Sequence, residues 1–297
     1  MPHRTAVIGL GSMGYGIAQS ALRAGHETYG FDVNEDRCRA FLAEGGRPGA
    51  LPEVAEYLDA VIVVVLNAAQ TEEVLFGPAG IVPALKPGAV VLSCATVPPD
   101  VARDLARRTS DHGVHYLDAP ISGGAVKAAA GELTIMAAGS AEAFSAARAT
   151  LDAISETVFE LGEAGAGSAM KAVNQLLAGV HIASMAEALT FGMTQGVAPE
   201  TFVEVISKCA GTSWMLENRA PHIVAGDYTP HSAVNIWLKD LGIVLDIAKT
   251  GQFSAPLTAV ALQQFVAAAG QGLGGEDDAA VAKVYARNAG LALPGEA

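Results

Sequence analysis

The sequence predicts an α/β chain: a doubly wound sheet in residues 1–163 and an all-α part in residues 164–297, joined by a long helix. Three observations carry this. Short β-branched runs alternate with helical stretches up to about Glu160, the pattern that builds a sheet with helices on both faces. Beyond Gly162 those runs thin out and alanine- and leucine-rich stretches replace them, a composition that favours helix. From Ser168 to Gln195 there is no proline, and only Gly179 and Gly192 interrupt what reads as one helix. The division between the two parts is expected near Gly162 to Gly167.

Taken in order, Thr5 to Gly9 reads as a short buried strand, Met13 to Ala24 as a helix and Glu27 to Asp32 as a second strand, which together make one βαβ unit. A helix around Asn34 to Ala43 leads to Ala60-Val-Ile-Val-Val-Val-Leu66. That run is too short for a helix and is β-branched, as a strand buried on both faces would be. Ala89 to Ser93, His115 to Asp118 and Leu133 to Met136 are further strands, with Pro99 to Ser110 helical. In the second part Phe202 to Lys208, Ser232 to Thr250 and Leu257 to Ala269 look helical, with Pro199 and Pro230 marking helix starts or turns. The tail after Leu291 is expected to fray.

Composition excludes several classes of function. Of 297 residues 51% are hydrophobic and 16% charged, which argues against disorder. The apolar excess suits helix burial or assembly into a homodimer or homotetramer. A formal net charge of −13 repels a phosphate backbone, so nucleic acid is not an expected partner. Cys38, Cys94 and Cys209 are odd in number and outside any metal-ligand spacing. No metal site is expected, and a reducing, cytoplasmic compartment fits. No uninterrupted apolar run of about 20 residues occurs, so no membrane-spanning segment is expected. The apolar stretch Thr5 to Leu22 lacks the basic leader of a signal peptide, and its glycines have another explanation.

Gly9-Leu10-Gly11-Ser12-Met13-Gly14 fits G-x-G-x-x-G. The pattern is weak alone in a chain with 33 glycines. Its context strengthens it: it leaves a predicted strand, opens a predicted helix and precedes Asp32 at the end of the next strand, the arrangement of a Rossmann dinucleotide site. Gly9 would permit the turn, Gly11 the approach of backbone N–H groups to a pyrophosphate, and Gly14 close packing of helix on strand. Asp32 would accept ribose hydrogen bonds and repel a 2′-phosphate, pointing to NAD as cofactor over NADP, although Arg37 lies close. A structural glycine turn and a solvated turn aspartate are the plainer alternatives. Leu66, Asn67 and Thr96 stand at strand C-termini, where an open sheet binds its cofactor. Ser122-Gly123-Gly124 after Pro120 reads as a loop offering a hydroxyl and exposed N–H groups to an anion, or as a plain turn. Lys171, Asn174, Gln175 and Ala178 fall on one face of the long helix, either lining a cleft or as a lysine snorkelling along apolar surface.

These segments resemble the β-hydroxyacid dehydrogenase family over nearly the whole chain. The glycine-rich signature is similar to Ala6 to Gly14, the substrate signature to Asp118-Ala-Pro-Ile-Ser-Gly-Gly124 with Gly131 to Met136, and the catalytic signature to Gly167-Ser-Ala-Met-Lys171-Ala-Val-Asn174-Gln175; Lys239-Asp240 is a fourth match. The resemblance implies an NAD-dependent hydride transfer on a small hydroxyacid. Lys171 would be the general acid/base, Asn174 would orient the substrate, Ser122, Gly123 and Gly124 would hold its carboxylate, and Lys239 would lie near cofactor and substrate. Ser93-Cys94-Ala95-Thr96 departs from the more polar stretch common in the family. Lys127, Trp214 to Arg219 and Gly275 to Asp278 resemble the L-threonate dehydrogenase subgroup, with Lys127, Ser213 and Asn218 available to a polyhydroxylated chain. A 3-hydroxyisobutyrate dehydrogenase or 2-hydroxy-3-oxopropionate (tartronate semialdehyde) reductase is the alternative within the family, and a non-catalytic dinucleotide-binding scaffold the alternative outside it.

Overall fold

A computed structural model describes residues 2–295. The chain forms two compact units, Met1–Lys171 and Ala172–Ala297.

In the first unit, β1 (Arg4–Ile8), α1 (Ser12–Arg23), β2 (Glu27–Phe31) and α2 (Glu35–Ala43) are followed by the short helix α3 (Leu51–Val54) and β3 (Ala60–Val63). Then come α4 (Ala68–Phe76), β4 (Val90–Ser93), α5 (Pro99–Ser110) and β5 (His115–Asp118). These five strands form one parallel sheet in the order β2-β1-β3-β4-β5. The order reverses at β1, so the carboxyl ends of β1 and β3 flank a topological switch point, the place where such sheets bind ligands. Alternation along each strand builds two cores. Val7, Ile62, Leu92 and Leu117 face one, where α1 and α7 pack; Ala6, Ile8, Val61, Val63, Val91 and Tyr116 face the other. Burial on both faces is why these strands read as continuous apolar runs.

The chain continues through β6 (Ile121–Ser122), α6 (Gly124–Ala130), β7 (Leu133–Ala137), α7 (Ala141–Ile154) and β8 (Ser155–Glu160). They form a second sheet, β6-β7-β8, with β6 antiparallel and β8 parallel to β7. The segment expected as a loop at Ser122 to Gly124 is therefore the end of a strand and the start of a helix. Gly123 is the residue before α6, at φ 132°, a conformation open to glycine.

Helix α8 (Ala166–Thr194) leads into the second unit, completed by α9 (Pro199–Ile206), α10 (Trp214–Ala225), α11 (Val234–Thr250), α12 (Pro256–Ala268) and α13 (Val281–Asn288). Its core gathers Ile182, Met185, Ala186 and Leu189 of α8 around Trp237, Leu241 and Phe265. By length and composition α8 is apolar enough to cross a membrane, contrary to the expectation from uninterrupted runs, because Lys171 and Glu187 are its sole charged residues. The core helix of a soluble protein meets the same criterion. Within the tail Leu293 differs from expectation, being buried in the helical core, while residues 296 and 297 lie outside the described residues.

Candidate active site

The glycine loop leaves β1 and opens α1, and its geometry is that of a cradle. A Cβ on Gly9 would stand 2.2 Å from the Val64 carbonyl oxygen, and one on Gly14 would stand 1.8 Å from the Gly9 oxygen. Only glycine permits these approaches. A Cβ on Gly11, by contrast, meets nothing closer than the Arg37 guanidinium at 3.8 Å. No side chain caps α1 and no acid lies in its first turn. The N–H groups of Ser12, Met13 and Gly14 thus meet no side-chain acceptor of their own, and with the helix dipole they suit a pyrophosphate.

Asp32 binds this loop directly. Its Oδ2 accepts the Leu10 N–H at 2.6 Å and its Oδ1 the Asn34 N–H at 2.8 Å. Arg37 stands 3.9 Å away. The carboxylate keeps lone pairs for ribose hydroxyls, while the tie to Leu10 is a role that spacing alone did not reveal. Asn67 begins α4, accepting the Gln70 N–H at 2.9 Å, and the Leu66 N–H is held by the Gln70 side chain at 2.9 Å. Thr96 is half-buried after β4. Burial pushes the neighbouring Cys94 thiol up to about 12, helped by Asp118, so it remains a neutral thiol.

The second cluster gathers around β5 and β6. Lys171 Nζ donates to the Ile121 carbonyl at 2.9 Å, which brings the amine to the backbone that runs into Ser122, Gly123 and Gly124. A Cβ on Gly124 would meet nothing within 4 Å, whereas one on Gly123 would press on Lys127 at 2.9 Å. Asp118 is buried at the carboxyl end of β5. It accepts hydrogen bonds from the N–H groups of Gly165 and Ser168 and from the Ser168 hydroxyl. Burial raises its carboxyl above the usual range, opposed by those donors and by Arg103.

In the helical unit Asn174 and Lys239 are joined by a relay. Asn174 donates to Gln175 at 2.9 Å, Gln175 to Asp240 at 2.5 Å, and Lys239 to the other oxygen of Asp240. Gln175 and Asp240 are buried and 65 residues apart in sequence, so no spacing signal exposed their pairing. The subgroup residues are engaged locally: Lys127 pairs with Glu156, Ser213 caps α10, and Asn218 accepts from Arg219. Asp277 and Asp278 are wholly buried. Asp278 takes Arg219 Nε and, at 2.8 Å, Trp237 Nε1, so this motif is part of the helical core. Among the described residues no group of three or more His, Cys, Asp or Glu is placed to hold a metal.

Comparison with known proteins agrees with this arrangement. Residues 4–162 match the family model of the NAD binding domain of 6-phosphogluconate dehydrogenase, and residues 165–285 the model described as NAD-binding of NADP-dependent 3-hydroxyisobutyrate dehydrogenase. An L-threonate dehydrogenase of Cupriavidus necator is 51% identical over the full length of both chains. One of Escherichia coli K12 is 47% identical over 97% of this chain and 96% of its own. The crystal structure of a Salmonella typhimurium protein described as 3-hydroxyisobutyrate dehydrogenase superposes with a TM-score of 0.90 at 45% identity, covering 95% of this chain and 99% of the other. With both family models matched in order and full-length relatives near half identity, the chain belongs to the β-hydroxyacid dehydrogenase family of NAD(P)-dependent enzymes.

Proposed function

We propose that the chain oxidises L-threonate at its C2 hydroxyl to the 2-oxo acid 2-dehydro-L-erythronate, with NAD as hydride acceptor and Lys171 as general acid/base. The observation that carries this reading is the full-length 51% identity to an L-threonate dehydrogenase, joined to a lysine amine held beside the Ser122 to Gly124 backbone.

NAD, when bound, supplies the acceptor for the C2 hydride. Gly9, Leu10, Gly11, Ser12, Met13 and Gly14 hold its pyrophosphate, Asp32 its ribose, and Leu66, Asn67 and Thr96 flank it from the strand ends. Ser122 with the N–H groups of Gly123 and Gly124 takes the substrate carboxylate. In its neutral form Lys171 accepts the hydroxyl proton as the C2–H bond gives up its electron pair, so that a carbonyl forms and an ammonium remains; reduction runs the same proton back. Asn174 orients the hydroxyl, and the Gln175–Asp240 relay holds Asn174 and Lys239 in place.

A cytoplasmic location goes with three unpaired cysteines, and a homodimer or homotetramer with the exposed apolar residues Phe253, Leu257 and Val260. Nucleic acid and membranes are not partners in this reading. A 3-hydroxyisobutyrate reaction is kept as the second reading because the 45% identical Salmonella structure carries that description. The test is a comparison of kcat/KM for L-threonate, 3-hydroxyisobutyrate and 2-hydroxy-3-oxopropionate with NAD and NADP. L-Threonate with NAD is expected to lead. A lead by another acid would replace the substrate, and NADH binding without turnover on any of them would leave a scaffold.

A further inference from the structure

We infer that Asp118 is a positioning residue for Lys171: its carboxylate seats the first turn of α8 on the end of β5 and so sets where, one turn later, the lysine amine meets the Ile121 backbone. This rests on the reading of Lys171 as the acid/base and adds what places it.

Two attachments join the same two segments. Asp118 holds Ser168 through the backbone N–H at 2.8 Å and the hydroxyl at 2.6 Å, and Ile121 receives Lys171 at 2.9 Å. The partners are three residues apart on each side. A helix turns about 100° and rises about 1.5 Å per residue, so a single attachment near its start would leave its rotation about its own axis loosely set. Seating Ser168 fixes both height and rotation before the chain reaches Lys171. Both oxygens of the Asp118 carboxylate are used in doing so: Oδ2 accepts from the Gly165 and Ser168 N–H groups, Oδ1 from the Ser168 hydroxyl.

Close packing supports the same reading. A Cβ on Gly167 would lie 2.4 Å from the Met136 carbonyl oxygen and 2.6 Å from that of Asp118. The first turn of α8 therefore rests directly on strand backbone with no side chain between, and a small rotation is resisted by main-chain atoms. Ordinary helix capping needs one acceptor for one or two N–H groups. Here a buried carboxylate takes three donors, and its negative charge sits at the positive end of a 29-residue helix. An isosteric amide keeps one oxygen for the two N–H groups but carries no charge, and it turns an NH2 toward the Ser168 hydroxyl, which must then accept where it now donates.

The test is a double-substitution cycle on the NAD-loaded enzyme. Asp118→Asn and Ser168→Ala are each made alone and combined with Lys171→Ala, with kcat, KM and the NADH dissociation constant measured by turnover and by fluorescence titration. Asp118→Asn is expected to lower kcat about 100-fold, the scale of an ångström-sized misplacement. Ser168→Ala, which removes one charge-assisted hydrogen bond and folds more readily, should lower it about tenfold. NADH binding should stay within about twofold in both. In the Lys171→Ala background neither change should lower kcat further, because the group they position is gone. A drop of the same factor in that background would show that Asp118 acts elsewhere and overturn the inference; so would an unchanged kcat in both folded single variants. If Lys171→Ala alone keeps near-normal kcat, the acid/base reading itself has failed, and that is seen in the single variant before the cycle is read.

Discussion

In the first unit Asp32 and Lys171 are held by main chain, Asp32 by the Leu10 and Asn34 N–H groups and Lys171 by the Ile121 carbonyl, and the glycine loop packs so closely on backbone that Gly9 and Gly14 leave no room for a Cβ. In the helical unit Asn174 and Lys239 are held by side chains, through Gln175 and Asp240, beside a second buried network at Arg219, Trp237 and Asp278. The difference teaches where each unit is fragile. A site built on backbone fails through chemistry or sterics at the substituted position. A site built on buried charged side chains fails through the partner left behind, whose desolvation is no longer offset.

The largest expected effect tests the chemistry on the backbone-held side. Lys171→Ala should lower kcat by about 100- to 10,000-fold, the usual contribution of a positioned acid/base, with NADH binding near normal. Lys171→Arg should not restore it, since guanidinium keeps its proton at working pH. Steady-state kinetics with a parallel NADH titration decides this, and near-wild-type turnover by a folded Lys171→Ala protein would transfer the role to another group.

The helical unit should break through stability instead. Arg219→Met leaves Asp278, which is fully buried, with Trp237 as its remaining partner. Removing one member of a buried pair costs about 3–5 kcal/mol, so the variant should melt well below wild type while the folded fraction keeps its affinity for NADH. Thermal unfolding followed by circular dichroism measures it; an unchanged melting temperature would mean that the pair adds nothing.

How far these features were legible depends on the same division. The strand and helix alternation, the glycine loop and the long helix are local patterns, and they stand where the sequence put them to within about three residues: the first helix, read as Met13 to Ala24, is Ser12–Arg23. The strand read to Leu66 stops at Val63, and beyond it the Leu66 N–H turns to the Gln70 side chain. Ser155–Glu160 escaped notice as a strand because its Ser-Glu-Thr-Val-Phe-Glu sequence lacks an apolar run, and α10 was obscured by Pro221 inside it. In the candidate site, nothing local assigns a role to Asp118 in the Asp118 to Gly124 motif, since its partners Gly165 and Ser168 come 47 and 50 residues later. The pairing of Gln175 with Asp240 is equally remote in sequence. Glycine patterns announce backbone geometry locally; hydrogen bonds across such distances do not.

Cofactor choice sharpens the comparison at smaller scale. Asp32→Ala removes the acceptor proposed for the ribose and also frees the Leu10 N–H, so NAD affinity should fall about tenfold, as for loss of a charge-assisted hydrogen bond. With Arg37 remaining 3.9 Å from the vacated carboxylate position, NADP should lose less, or gain. The ratio of kcat/KM for the two cofactors, with binding measured by fluorescence, reports this. A ratio that does not move toward NADP would remove Asp32 from cofactor selection.

The smallest effect separates the two units by pH. In the first unit His3 bonds Thr150 and His26 bonds Thr5, their rings 4.8 Å apart. Burial is the largest influence on both and lowers their pKa below the ordinary 6.5; Lys86 adds to this for His3 and His3 for His26, while Asp59 opposes it in each. The unfolded chain then binds protons that the folded unit refuses. This contribution to stability is complete above 6.5 and is lost as pH falls from there through the folded-state values. In the helical unit Asp277 is held below the ordinary 3.8, despite burial, by the His231 and Ala279 N–H groups, Arg219 and His222. Its contribution is present above 3.8 and is lost only as pH falls below that value. Asp278, raised by burial, works in the opposite sense and above 3.8: there the folded unit takes up its proton before the unfolded chain does, so falling pH favours the folded helical unit. Between about pH 7 and about pH 5 the first unit should therefore loosen ahead of the helical one. Hydrogen exchange resolved by segment, with rates corrected for intrinsic pH dependence, should show protection falling around β1 and β2 and holding in α10 and α11. His26→Gln should flatten that fall. Equal loss of protection in both units would assign the pH response to something other than these two half-buried histidines.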